Sequence, residues 1–300
     1  MRLRPYHVRD LPRVLDFVGE CLYGSGLKNY HPGDILHWMS NGQRGENLDK
    51  HFWLHEADSE LLAFAELPPA KCASFALIIH PSHRNGGLEL ALLTECEAVM
   101  RERIEKESGN KRELSINVAT SDRARMSCLS QLGYQPKLST TLVSIRSLHA
   151  PIPAPSLPTG FSLRNVSGEH EAGLLAEVHS CAFGSSWTAE AYLKVMRTPG
   201  FESQHELVAV TPNGRFAAFL VYWLDPVSRS GLFEPVGCHP DFRRLGLTKA
   251  LMLEALKRMA VAGMTAALVG HNAANPAAAK LYTSVGFSKH FETLDYTKSL

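Results

Sequence analysis

The sequence predicts an α+β fold of mixed, layered α/β type, formed twice along a chain of 300 residues. Three observations predict it. Hydrophobic periodicity after residue 160 gives the element order β-αα-βββ-α-β-α-β. Residues of the first half recur in the second at a nearly constant offset. A stretch with prolines at 151, 153, 155 and 158 separates the halves and suits an extended connector better than a core element.

The recurrences fall in three stretches. Leu3-Arg4 returns as Leu163-Arg164, and Cys21-Leu22-Tyr23-Gly24 as Cys181-Ala182-Phe183-Gly184, both 160 residues later. His80-Pro81, Arg84 and Gly87 return as His239-Pro240, Arg243 and Gly246, 159 residues later. A duplicated domain accounts for this, with expected boundaries of 1–147, 148–160 for the connector, and 161–300.

Each element of the second half has a local reason. Residues 161–164 begin as a strand and about 169–196 read as helical. Residues 206–210 and 216–223 read as strands joined by the turn Thr211-Pro212-Asn213-Gly214. An apolar strand over 232–238 leads into a helix over 246–262, whose apolar stripe is Leu247, Leu251, Ala255 and Met259 and whose stop is Gly263. Residues 265–269 form another strand. Asn275 as N-cap with Pro276 behind it starts a helix that runs to Val285; Gly286 ends it, and the last strand begins at Phe287.

Composition narrows the function classes. Hydrophobic residues make up 45% and charged residues 20%, ordinary for a globular protein. A formal charge of +1 supplies no bulk attraction to nucleic acid or anionic membrane, so any anion site is local. Residues 260–270 form the longest nearly apolar stretch, too short to span a bilayer. Six cysteines without a CxxC pair, and a start of Met-Arg-Leu-Arg without a leader, lead us to expect a reducing cytoplasm. Among 14 histidines, His31, His37, His51 and His55 cluster without HExxH spacing, so no metal site is expected and they read as surface or core residues.

Two motifs carry chemistry. The run His239-Pro240-Asp241-Phe242-Arg243-Arg244-Leu245-Gly246-Leu247-Thr248 joins a strand to a helix N-terminus, where amide N–H groups lack intrahelical partners. Arginines are unfavourable there unless an anion binds between them and the amides, and Gly246 lets backbone approach the anion closely. A solvated basic turn is the plainer alternative. With no GxxxxGK[ST] and no GxGxxG, neither nucleotide hydrolysis nor ordinary dinucleotide chemistry gains support. The second motif is Asn275-x-x-Ala278-x-x-Leu281-Tyr282-x-x-x-Gly286-Phe287. Asn275 and Tyr282 are two helical turns apart on one face, and Tyr282 reads either as a proton donor or as a core-packing tyrosine.

Together the motifs resemble those of the GNAT superfamily of acetyl-CoA-dependent N-acetyltransferases. Arg243-Arg244-Leu245-Gly246-Leu247-Thr248 is similar to its pyrophosphate turn, with Thr248 where a smaller residue is usual. Residues 275–287 match its later helix at every quoted position. The run Glu234-Pro235-Val236-Gly237-Cys238-His239-Pro240 also looks like that of tandem members, mycothiol synthase-like enzymes among them. The resemblance implies two tandem GNAT domains, each a mostly antiparallel mixed sheet flanked by helices. It implies acetyl-CoA as cosubstrate, with its pyrophosphate on the amides of 244–248 near Arg243 and its pantetheine arm along Val236, Gly237 and Cys238. Asn275 belongs to the same cofactor-binding set, Tyr282 would protonate the leaving thiolate, and a strand amide near Val236 would polarise the carbonyl. Glu234 is either the base that neutralises the amine or a strand-end carboxylate.

The first half is a poorer copy. Its turn reads His80-Pro81-Ser82-His83-Arg84-Asn85-Gly86-Gly87-Leu88-Glu89, with Glu89 in the position of Thr248. A carboxylate there suits the helix dipole and would repel a pyrophosphate. Asp122, Arg125 and Leu129 stand where Asn275, Ala278 and Tyr282 stand, so the proton donor is missing. A non-catalytic domain that shapes the substrate cleft is expected. Trp187 and Tyr192 either line the acceptor site or pack between helices. The acceptor is expected to be the primary amine of a small molecule or peptide, with no nucleic acid or membrane partner. The alternatives are transfer of a longer acyl group and a CoA-binding module without turnover.

Overall fold

The computed structural model describes residues 3–24, 30–40, 48–84, 86–107 and 113–300. Asn85 of the first-half turn, and Met1-Arg2 at the start, lie outside the described residues. The first half runs β1 (Arg4–Pro5), α1 (Leu11–Gly24), α2 (Pro32–Ser40), α3 (Leu48–His51), β2 (Phe52–Ala57), β3 (Glu60–Glu66), β4 (Ser74–Ile79), α4 (Gly86–Glu107), β5 (Glu113–Ala119), α5 (Arg123–Gln131) and β6 (Gln135–Ser147). The second runs β7 (Ser162–Asn165), α6 (Ala172–Phe183), α7 (Ala189–Met196), β8 (Glu206–Val210), β9 (Phe216–Asp225), β10 (Ser230–Cys238), α8 (Leu247–Val261), β11 (Ala266–Asn272), α9 (Pro276–Ser284) and β12 (Ser288–Ser299). The second half has the predicted order, and the first repeats it with α3 added. The helical region 169–196 is two helices because Gly184 ends α6 in the left-handed conformation, φ 64°. No helix of the described residues is long and apolar enough to cross a membrane.

The recurring residues have matching structural work. Arg4 pairs with Asp10 and Arg164 with Glu171, each tying the first strand to the turn before the first long helix. His80 and His239 each cap a 3-10 turn, Nδ1 accepting from the N–H of Ser82 at 3.3 Å and of Asp241 at 3.2 Å. Asp122 and Asn275 cap α5 and α9, accepting the N–H of Arg125 and Ala278, both at 3.1 Å.

Among the described residues the strands form one sheet of twelve, ordered β1-β2-β3-β4-β5-β12-β6-β11-β10-β9-β8-β7. Neighbours are antiparallel except β4–β5 and β10–β11. The order holds a feature that periodicity did not announce: the last strands of the halves are exchanged. β12, from the second half, pairs with β5 over Thr293–Ser299. β6, from the first, pairs with β11 over seven positions and with β12 on its other edge.

Helices cover both faces. On one, α8 and α9 bury Leu247, Leu251, Ala255, Met259 and Tyr282 against β8 to β11, while α4 and α5 do the same for the first half. On the other, α6 and α7 cover β8 and β9, and α1 and α2 cover the first-half strands. α2 also crosses the boundary. Ile35 and Met39 pack into the first-half core, while Leu36 packs with Val221, Trp223, Leu232 and Leu268 of the second. Gly33 makes this approach possible, since a Cβ there would lie 2.4 Å from the Trp223 Cβ. The connector packs rather than dangles: Leu148 is buried, Ile152 and Leu157 lie against the second core, and the Pro151 carbonyl accepts from Arg146 at 2.8 Å.

Candidate active site

The site begins where two strands part. β10 pairs with β11 only from Ser230 to Phe233, but its ladder with β9 continues, after an irregularity at Pro235, to Cys238. The His239 N–H donates to the Ala217 carbonyl. In an antiparallel ladder bonded and non-bonded pairs alternate, so Gly237 faces β9 with its peptide groups while Val236 and Cys238 turn theirs away, toward the gap left by β11. Gly237 is needed for another reason: a Cβ would meet the Phe219 ring at 2.4 Å.

The gap leads to the arginine–glycine turn. Arg243, Arg244, Leu245 and Gly246 are exposed. Arg244 and Gly246 both adopt left-handed backbone, φ 66° and 81°, which folds the chain back into the start of α8. Gly246 is the N-cap and offers no side chain to the first-turn amides, so among the described residues those of Leu247 and Thr248 have no side-chain cap. Arg243 reaches the Ala182 carbonyl at 3.4 Å, and the Thr248 hydroxyl meets the Cys238 thiol. This set fits a pyrophosphate with an extended arm: free amides, two cations, and a strand edge with unpaired peptide groups.

The corresponding turn of the first half is already filled. Glu89 is 1% exposed and its carboxylate bonds Arg84 (Nη2–Oε1 2.7 Å) and Arg125 (Nε–Oε1 2.6 Å). Asp122 takes the remaining Arg84 donors at 2.8 and 2.9 Å. Burial works against the Asp122 charge, yet the arginines hold its carboxyl below the usual range. Two guanidinium groups thus face two carboxylates of the chain itself.

On the other side of the gap lies a cleft of about 910 Å³. Glu234 stands on its floor, the side chain 37% exposed to the cleft. Burial first, then the nearby Asp34 charge, raise its carboxyl to about 8. The wall opposite is first-half α2, which contributes Asp34, His37 and Trp38, with Tyr30 just ahead of it. β6 adds Thr141, Val143 and Ile145.

Tyr282 sits on α9, 7% exposed. It meets His271, a cleft residue on β11, edge-on with ring centroids 5.3 Å apart. Burial first, and then the Glu234 charge, raise its hydroxyl above the ordinary tyrosine range, so it stays protonated. Arg146 on β6 sits at the C-terminal end of α9 and donates to the Val285 carbonyl, the favourable place for a cation on a helix.

The predicted residues therefore assemble around one gap: Glu234 on its floor, Val236 and Cys238 along its edge, residues 243–248 at its mouth and Tyr282 behind it. Asn275 contributes its side-chain oxygen to the α9 cap. Trp187 and Tyr192 pack with His179 and Phe219 away from the cleft, and the Tyr192 hydroxyl donates to buried Glu206. Sequence reasoning missed Asp34 and His37, two hundred residues from Glu234 in the chain. Their only signal was the histidine cluster, which lacks any motif spacing.

Residues 174–287 match the acetyltransferase (GNAT) family. The chain is 30% identical over 294 residues to a mycothiol acetyltransferase of Thermobispora bispora, covering 93% of each chain. It is 28% identical over 233 residues to a mycothiol acetyltransferase of Pseudarthrobacter chlorophenolicus, covering 74% of this chain and 68% of the other. Among solved structures, a GCN5-related N-acetyltransferase from Sphaerobacter thermophilus shares the fold with a TM-score of 0.70 at 20% identity, over 99% of this chain and 95% of that one. A tandem GNAT protein from the clavulanic acid biosynthesis pathway does so with a TM-score of 0.70 at 14% identity, over 99% and 98%.

Proposed function

The chain belongs to the acetyltransferase (GNAT) family, and on that premise we propose that residues 161–300 form its catalytic unit, which transfers the acetyl group of acetyl-CoA to a primary amine of a small molecule held in the cleft between the halves. The observation that carries this reading is the edge of β10 beyond Phe233, which has no strand partner among the described residues and lies between the turn at Gly246 and the carboxylate of Glu234. The concave cleft supports a small acceptor, since pockets for such ligands are of this size. The name of the relatives that share most of its length, mycothiol acetyltransferase, supports the same class. The first half, residues 1–147 with the connector 148–160, is read as non-catalytic, its anion turn closed by Glu89.

Each residue then has a step. The amides of Leu247 and Thr248, with Arg243 and Arg244, hold the pyrophosphate of the cosubstrate. Val236 and Cys238 align the pantetheine arm, and the Val236 N–H polarises the thioester carbonyl as charge builds on its oxygen. Glu234 removes a proton from the ammonium group, because only the neutral amine has a lone pair to form the new C–N bond. As the C–S bond breaks, Tyr282 gives the sulfur a proton and is reprotonated by the second proton leaving the nitrogen. Burial keeps Tyr282 protonated at neutral pH but also makes it a weaker acid, an effect offset because the same burial raises the basicity of a thiolate beside it.

Thiol release from acetyl-CoA, followed with a panel of primary amines, tests the reading. Tyr282→Phe and Glu234→Gln are each expected to lower kcat by roughly 10²–10³ with little change in KM for acetyl-CoA. Wild-type kcat in both variants at optimal pH would remove the assigned roles. Calorimetry is expected to find one acetyl-CoA per chain, and two equivalent sites would overturn the assignment of the first half.

A further inference from the structure

The first half gives the cleft more than a wall. His31, just before α2, is 2% exposed; its Nδ1 accepts the Gly33 N–H at 2.9 Å, leaving Nε2 to donate to the Ser230 carbonyl of β10 at 3.3 Å. Burial lowers its proton affinity, so it serves as a neutral pin between halves. So pinned, α2 presents Asp34 and His37, one turn apart, toward Glu234. His37 Nε2 lies 3.8 Å from Glu234 Oε1. That is ion-pair range and beyond a direct hydrogen bond. The other titratable groups around Glu234 are Tyr30 ahead of α2, His271 on β11, His290 on β12 and Tyr282 on α9. Among the described residues, His37 is the histidine paired with this carboxylate.

We propose that His37 is the proton-exchange partner of Glu234, taking from its carboxyl the proton removed from the acceptor's ammonium group and passing it to solvent. The inference rests on the reading of Glu234 as the base. Charge balance requires such an exit. An ammonium ion and a thioester give an amide, a thiol and one free proton; the nitrogen loses two protons, one reaches the sulfur, and the other must leave Glu234 before the next turnover. Burial and the Asp34 charge hold the Glu234 carboxyl above its ordinary value, so near neutral pH it tends to keep the proton it receives. A proton moved to the imidazole, with Asp34 beside it, leaves a carboxylate facing the amine. His37 is 25% exposed, so its ring reaches water. His37 acts through Glu234 and is a positioning residue in that sense.

The test compares kcat/KM across about pH 6 to 10 for wild type, His37→Ala, His37→Gln and Glu234→Gln, with and without added imidazole. Expected are a loss of roughly tenfold or more near neutral pH in both His37 variants, an ascending limb displaced to higher pH, unchanged KM for acetyl-CoA, and partial rescue of His37→Ala by imidazole. His37→Gln keeps a polar side chain and serves should the alanine variant fail to fold. Wild-type pH profiles in both His37 variants beside an impaired Glu234→Gln overturn this inference alone, as does a loss of rate with neither a shifted profile nor imidazole rescue. Wild-type rates in Glu234→Gln overturn the underlying reading of the base as well.

Discussion

Removing the Glu89 carboxylate is the sharpest test of the proposal that the first half is non-catalytic. Glu89, Asp122, Arg84 and Arg125 form a buried set of zero net charge, every side chain at most 10% exposed. Glu89→Ala leaves Arg84 with Asp122 alone, leaves Arg125 with the Leu77 carbonyl, and strands one net positive charge in the core. Breaking a buried pair from one side costs about 3–5 kcal/mol, because the remaining ion is left uncompensated. An unfolding entropy of about 2.1 cal/mol/K per residue over 300 residues gives about 0.6 kcal/mol per kelvin, and hence a fall in Tm of about 5–8 °C. The exchanged strands make one cooperative transition the expected behaviour. The assay is thermal unfolding by circular dichroism with and without acetyl-CoA, beside calorimetric stoichiometry and turnover at 25 °C. The expected result is a lower Tm, one binding site as before, and turnover per folded molecule within about twofold of wild type. A Tm that is unchanged or raised, with a second acetyl-CoA bound, would mean that Glu89 blocks a working anion site instead of completing a structural one.

Two further outcomes follow from individual side chains. Glu206 is fully buried, and burial raises its carboxyl from 4.5 to about 7. Since the folded value lies above the unfolded one, the stability it lends is complete below 4.5 and is lost as pH rises through 7, about 3 kcal/mol in all. Glu206→Gln is therefore expected to gain on wild type in urea unfolding between pH 5 and 9, and a pH-independent difference would refute this. Gly246 has open space for a Cβ but φ of 81°, so Gly246→Ala costs about 1–2 kcal/mol in backbone strain and shifts the turn. KM for acetyl-CoA is expected to rise about fivefold or more with kcat little changed, and an unchanged KM would show that the turn does not hold the cosubstrate.

The second half was legible because its signals are local. Asn275-Pro276 fixes a helix start, Gly263 and Gly286 fix stops by left-handed backbone, and Leu247, Leu251, Ala255 and Met259 fix a buried stripe. The anion turn was legible because cations at an uncapped helix start need a reason. Strand partners were not. β6 and β12 show that they are strands, but which edge each joins depends on register and long-range packing. The α2 wall of the cleft was hidden for the same reason. Nothing near His37 in the chain points to Glu234; only the packing of Leu36 and Gly33 against β9 to β11 brings them together.

The exchanged strands also fix how the molecule can move. Paired domains commonly swing about a linker to admit and enclose a substrate. Here β12 is hydrogen-bonded between β5 and β6, and β6 between β12 and β11, so swinging the halves apart would tear ladders on both sides of the seam. The strand seam at the cleft is therefore held by the fold, and any opening of the cleft falls to the elements around the seam rather than to a hinge between the halves. On the proposed reading an acceptor meets a fixed seam, and a change in specificity calls for recutting the surfaces at α2 or β6 rather than loosening a joint.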